Sequence, residues 1–143
     1  GMNLYIDSSA LIKVYVEEAD SESVRNWIAK ADVIAAGLIA RAEISSGINR
    51  VYRMKIATES QYKTGLSDFR HDWEYFHRIP ITEQVVSRAD FLICQFVLRG
   101  YDAVHLACAL VWQEALQTPV IFATFDSQLR KAAQDSGLSV LPK

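Results

Sequence analysis

Four acidic residues stand at places where a carboxylate can do chemistry: Asp7 in "LYIDSSALIKVY", Glu43 in "ARAEISSG", Asp102 in "LRGYDAVHLACAL" and Asp126 in "VIFATFDSQL". Asp7 and Asp126 each close a short apolar run, and Asp102 opens a helical pattern straight after a glycine. Glu43 falls inside a helical pattern beside Ala42, with Ser46 and Gly47 one turn on, so small side chains leave room around it. Taken singly, the three aspartates read equally well as helix N-caps, accepting hydrogen bonds from free N–H groups. Glu43 alone reads as a surface glutamate.

Together they offer more. Carboxylates crowded within a few ångströms raise one another's pKa unless a cation neutralises them. Hard oxygen ligands of this kind suit Mg²⁺ or Mn²⁺, with waters completing the shell. A metal so placed activates a water and stabilises charge on a phosphate during in-line displacement. Cysteines and histidines show no zinc spacing, and neither a P-loop nor a dinucleotide glycine fingerprint is present. Ser8 and Ser9 follow Asp7 without a His–Asp arrangement that would make either a nucleophile. The residues by themselves point to an acidic metal site for phosphodiester chemistry.

Positioning such a site needs elements that deliver the acids to one edge. Short apolar runs predict strands at Asn3–Ile6, Asp32–Ala36, Arg78–Ile81, Val120–Ala123 and Ser139–Leu141. Between them lie helical patterns at Ser9–Val16, Ser21–Ala31, Leu38–Arg53, Glu59–Phe76, Glu83–Leu98, Ala103–Leu116 and Ser127–Ser136. Gly47 costs its helix about 1 kcal/mol against alanine. Strands alternating with helices imply right-handed crossovers and a parallel sheet covered on both faces, so the fold class is α/β. In such sheets ligands sit beyond the carboxyl ends of the strands, where Asp7 and Asp126 fall.

The 143 residues are read as one domain, 1–143, with Gly1 before Met2 as an expression scar. Half of the residues are hydrophobic and 22% charged, as in soluble globular proteins. No apolar run approaches the roughly 20 residues of a membrane span, and the N-terminus does not read as a signal peptide. Cys94 and Cys108 read as reduced core thiols, which points to a cytoplasmic protein without a membrane partner.

The stretches "YIDSSALIKVY", "ARAEISSGINR", "GYDAVHLACAL" and "FATFDSQLRKAA" resemble the PIN-domain ribonucleases, particularly the VapC-type toxins of toxin–antitoxin pairs. They run in the family's order across residues 4 to 133. The resemblance implies a three-layer α/β/α sandwich with a five-stranded parallel sheet, and a Mg²⁺- or Mn²⁺-dependent endoribonuclease. It implies Asp7, Glu43 and Asp102 as core metal-binding acids and Asp126 as the fourth. Ser9 would support Asp7 and the metal-bound water, and Thr124 matches the family's T-x-D hydroxyl. It further implies an RNA substrate, a cognate antitoxin and a homodimer, with Ser9–Val16 and Glu83–Leu98 offering surplus apolar surface.

His105, three residues after Asp102, reads as a packing residue whose ring nitrogens find backbone partners; His71 and His77 read as surface residues. The net charge of −2 becomes +2 once the four acids are set aside. Lys13, Arg41, Arg50 and Arg99, with Arg53 and Lys131, are therefore candidate phosphate contacts. Rival functions are a housekeeping PIN-domain RNA-processing nuclease and a non-catalytic partner-binding scaffold. Receiver or haloacid-type phosphotransferases need adjacent acids or D-x-D after the first strand, and "IDSSA" has neither.

Overall fold

The computed structural model describes residues 1–143. Its elements run β1 (Asn3–Ile6), α1 (Ser8–Tyr15), α2 (Ser21–Lys30), β2 (Val33–Gly37), α3 (Ala40–Arg53), α4 (Glu59–Trp73), β3 (His77–Ile79), α5 (Glu83–Gln95), α6 (Gly100–Leu116), β4 (Val120–Ala123), α7 (Ser127–Asp135) and β5 (Ser139–Leu141). Every expected element is present, with ends displaced by no more than three residues. The displacements have local causes. Glu74, Tyr75 and Phe76 close tight turns onto His71, Asp72 and Trp73, ending α4 before β3. Phe96 turns extended and packs against the core, so α5 stops short of Leu98.

The five strands form one parallel sheet in the order β3-β2-β1-β4-β5. In β1 the period of two sends Tyr5 to one face and Leu4 and Ile6 to the other, and all three are fully buried. Tyr5, Phe122 and Ala35 meet Leu106, Leu110, Val85 and Leu129 from α5, α6 and α7. Leu4, Ile6 and Ala36 meet Leu11, Val24, Ile44 and Phe69 from α1 to α4. This is the three-layer α/β/α sandwich, with a core on each face of the sheet.

Gly47 explains itself here. A Cβ at that position would sit 2.6 Å from Ile12 Cδ1, so its absence lets α1 lie close against α3. The helix continues through it to Arg53.

Two expectations are corrected. Cys94 is exposed, whereas only Cys108 is a core thiol, because Cys94 falls on the outer face of α5. Asp102 does not cap its helix: α6 begins at Gly100, and Asp102 lies in the first turn, where it is still favoured by the helix dipole. No single helix is long and apolar enough to cross a membrane.

Candidate active site

The sheet order makes β1 the strand at which the connections change direction. β2 lies on one side of it and β4 on the other, and a crevice opens beyond their carboxyl ends at such a point. Asp7 leaves β1 there, with its N–H bonded to Ala123 O at 3.1 Å. Its carboxylate is 3% exposed. It accepts hydrogen bonds from the Ala10 N–H (3.0 Å), Ser9 Oγ (2.7 Å) and Thr124 Oγ1 (2.6 Å). Asp7 is thus an N-cap and a site residue at once. Burial pushes its carboxyl above the ordinary range, although Thr124, His105 and Ser9 pull it back.

The hydroxyls beside it carry the loop after β4. Thr124 Oγ1 also accepts from the Asp126 N–H at 3.1 Å, and Ser9 Oγ accepts from the Phe125 N–H at 3.1 Å. Asp126 in turn caps α7, with Oδ1 accepting from the N–H groups of Gln128 and Leu129 at 2.9 and 3.1 Å. Ser9 and Thr124 therefore tie the first and fourth acids into one hydrogen-bonded unit.

Glu43 reaches the crevice from the first turn of α3. Its Oε1 accepts from Ser8 Oγ (2.8 Å) and is 2.7 Å from His105 Nε2. Burial pushes the Glu43 carboxyl up, but the hydrogen bonds and charge of His105 and the Ser8 hydroxyl bring it below the ordinary range. His105 is where the expectation fails. It is buried, as a packing residue would be, yet its ring nitrogens meet the Tyr5 hydroxyl and the Glu43 carboxylate rather than backbone. The spacing of three from Asp102 on one helix was the available signal. His71 and His77 are exposed, as expected.

Asp102 is half-buried and has no hydrogen bond within the protein holding its charge. Burial raises its proton affinity first and the charge of Asp126 next; Arg99 and His105 oppose this and Glu43 adds to it. Beside it opens a cleft of about 630 Å³, lined by Glu43, Val86, Ile93, Arg99, Tyr101 and Asp102 among others.

No three acidic or imidazole groups stand close enough to grip an ion directly. Mg²⁺ needs fewer, since one or two carboxylates hold it while waters complete its shell. The donor set fits too: all four groups offer hard oxygens, and Asp7 and Asp102 carry charge that the protein itself does not fully offset.

The basic candidates divide. Arg41 and Arg50 are exposed on α3, the helix that carries Glu43, and Arg99 stands at the cleft. Arg53 is exposed as well. Lys13 Nζ donates to Glu18 Oε1 (3.1 Å) and Ala19 O (3.0 Å) and lies over the Phe125 ring. Lys131 pairs with Asp135 along α7.

Comparison with known proteins agrees with this architecture. Ribonuclease VapC45 of Mycobacterium tuberculosis is 31% identical over 144 residues, spanning 97% of this chain and 94% of that protein. Ribonuclease VapC46 of the same species is 28% identical, spanning 96% and 95%. Among solved structures, FitAcB from Neisseria gonorrhoeae superposes with a TM-score of 0.69 at 15% identity, covering 96% of this chain and 95% of that one. VapBC2 from Rickettsia felis, bound to a DNA fragment from its promoter, gives 0.65 at 13% identity over 97% of both chains. The PIN domain family matches residues 4–135. With the sheet order, the switch-point acids and these likenesses in hand, the chain belongs to the PIN domain family.

Proposed function

We propose that this protein is a divalent-metal-dependent endoribonuclease and the toxin of a toxin–antitoxin pair. One observation carries the reading: Asp7, Glu43, Asp102 and Asp126 gather at the carboxyl edge of the sheet, with Asp102 free of any hydrogen bond. Relatives that are ribonucleases by name, matched over nearly the whole chain, support it. The presence of all four acids favours it over a non-catalytic scaffold.

Asp7, Glu43, Asp102 and Asp126 would hold Mg²⁺ or Mn²⁺. When bound, the cation supplies an activated water and neutralises charge developing on the phosphate. The chain's own residues do the rest. Ser9 and Thr124 keep Asp7 and the Asp126 loop in register. Arg99, Arg41 and Arg50 attract the RNA backbone and hold its phosphates at the cleft. The test is incubation of end-labelled RNA with the purified protein and Mg²⁺ or Mn²⁺. Cleavage that persists in excess chelator overturns the metal-dependent reading.

A nuclease with a preassembled site needs a cover. Val14, Tyr15, Ile48, Val51 and Ile56 form the apolar part of a groove of about 340 Å³ between the end of α1, α3 and α4. Glu17 and Asp68 stand at its sides. We propose that an antitoxin tail anchors its apolar residues there and directs an arginine along α3 to the acids. From Val51 back to Glu43 is eight residues of helix, about 12 Å, which about four extended residues span. Arginine suits because its planar fork pairs bidentately with a carboxylate. Truncating that arginine to alanine in the antitoxin should leave the complex assembled while cleavage returns. Continued full inhibition would overturn the blocking mechanism.

The α5 face carries the homodimer proposal. Phe91 on α5 and Val97 in the turn after it are exposed at 67% and 86%, outside the lining of the cleft. The α1 helix, by contrast, is largely used in packing against α2, α3 and α4, so its part in the expectation is withdrawn. Light scattering at tens of micromolar should give twice the chain mass, and Val97→Glu should give the monomer. A strict wild-type monomer ends this proposal.

A further inference from the structure

A buried polar chain runs from the far side of the sheet into the site. The Gly37 N–H donates to Tyr5 Oη at 2.9 Å. Tyr5 Oη lies 2.7 Å from His105 Nδ1, and His105 Nε2 lies 2.7 Å from Glu43 Oε1. Tyr5 is fully buried and His105 is 2% exposed. The direction of the chain follows from its ends. A carboxylate oxygen only accepts, so His105 Nε2 must carry hydrogen toward Glu43. The Gly37 N–H already occupies one side of the Tyr5 oxygen, and burial keeps that phenol protonated. The Tyr5 hydroxyl is therefore free to donate to Nδ1.

The packing around the chain is close. A Cβ at Gly37 would sit 2.8 Å from Tyr5 Oη, 3.3 Å from Cys108 Sγ and 3.6 Å from His105 Nδ1. The glycine at the end of β2 is what lets its backbone reach the phenol. Phe122 stacks on Tyr5 with ring centroids 5.4 Å apart, and His105 meets the Tyr5 ring edge-on. Ser8 and His105 both engage Oε1 of Glu43, so Oε2 is the oxygen left unengaged.

We propose that His105, itself oriented by Tyr5 and Gly37, is a positioning residue that fixes the Glu43 carboxylate so that Oε2 is presented to the catalytic cation. This rests on the metal-site reading given under Proposed function. Partners of this kind set the orientation and basicity of the ligand they hold, and their loss costs roughly 10- to 100-fold in metal affinity.

The probe is Mn²⁺, titrated calorimetrically into the full chain without RNA. His105→Ala should weaken Mn²⁺ binding about 10- to 100-fold, whereas His105→Gln, which keeps an N–H donor at a similar reach, should stay within about threefold of wild type. Tyr5→Phe should weaken binding by a smaller factor, since it frees Nδ1 without removing Nε2. Circular dichroism establishes that each variant is folded; should His105→Ala fail to fold, Tyr5→Phe and His105→Gln still decide. In cleavage, the Mn²⁺ concentration for half-maximal rate should rise in His105→Ala and the rate at saturating Mn²⁺ should largely recover, a split that a merely structural lesion does not give. Unchanged affinity in His105→Ala, or an equal loss in His105→Gln, overturns the proposal. Asp102→Asn is the reference. If it loses affinity while His105→Ala keeps it, only the role of His105 falls; a wild-type protein that binds no Mn²⁺ overturns both readings.

Discussion

Asp102→Asn is expected to lower RNA cleavage by roughly a hundred- to a thousandfold, the usual loss when one electrostatic contributor to a phosphoryl or acyl transition state is removed. The variant is informative because the Asp102 carboxylate is held by no hydrogen bond within the protein, so an amide of the same shape disturbs nothing else. Asp7→Asn is a harsher change. Its amide would point an N–H at one of three donors, from Ala10, Ser9 and Thr124, and an unpaired buried group costs about 1–3 kcal/mol. Loss of activity in Asp7→Asn therefore mixes chemistry with stability, and Asp102→Asn does not.

The same substitution carries a signature in pH. Burial and the Asp126 charge raise the proton affinity of Asp102 in the folded state. The native protein then binds the proton more tightly than the unfolded chain does. Stability from this group is present below the unfolded value of 3.8 and is lost as pH rises through the raised native value. Above that window the ionised group costs stability. Asp102→Asn should thus melt higher than wild type at neutral pH, and the difference should vanish near pH 4. Because Asp102 is only half-buried, solvent screening holds the gain below about 1 kcal/mol, which is under roughly 4 °C. Saturating Mg²⁺ or Mn²⁺ should raise the wild-type melting temperature in the same direction. Wild-type cleavage rates in Asp102→Asn would remove this acid from the mechanism.

Phe122→Ala should cost about 3–5 kcal/mol, a substantial fraction of the 5–15 kcal/mol that holds a domain of this kind together. Phe122 is fully buried in β4, and its ring lies 5° from parallel to that of Tyr5. It belongs to the core beneath α5, α6 and α7. Tyr5, stacked on it from the buried strand β1, and the fully buried Leu106 and Leu129 of the same core leave the cavity little freedom to collapse. With a urea slope near 2 kcal/mol/M, the unfolding midpoint should fall by roughly 2 M at unchanged slope. The folded fraction should also bind Mn²⁺ less tightly, because the ring that backs Tyr5 is gone. A midpoint shift under about 0.5 M would mean that the site relaxes around the lost ring.

Much of the fold is legible in the chain because its signals are local. Strand and helix periods, the capping chemistry of Asp7 and Asp126, and the apolar runs that end on them act over a few residues. They locate all twelve elements and place two of the acids at strand ends. Gly47 is the counterexample. Its local cost is readable, while its reason lies in Ile12, on another helix.

What the sequence determined by itself is the alternation that makes a parallel α/β sheet and the set of hard oxygen donors at its elements' ends, since both follow from period and residue type. Which groups touch was decided by the tertiary structure. The order β3-β2-β1-β4-β5 brings Thr124 onto Asp7 across 117 residues, Tyr5 onto His105 across 100 and His105 onto Glu43 across 62. It makes a histidine read as packing the neighbour of an acid, and the bend after α1 brings Glu18 and Ala19 O to Lys13. The physical reason is that hydrogen-bond partners are fixed by which strand neighbours which. Local pattern leaves strand order open, whereas the packed sheet leaves no buried side-chain nitrogen or oxygen without a hydrogen-bond partner.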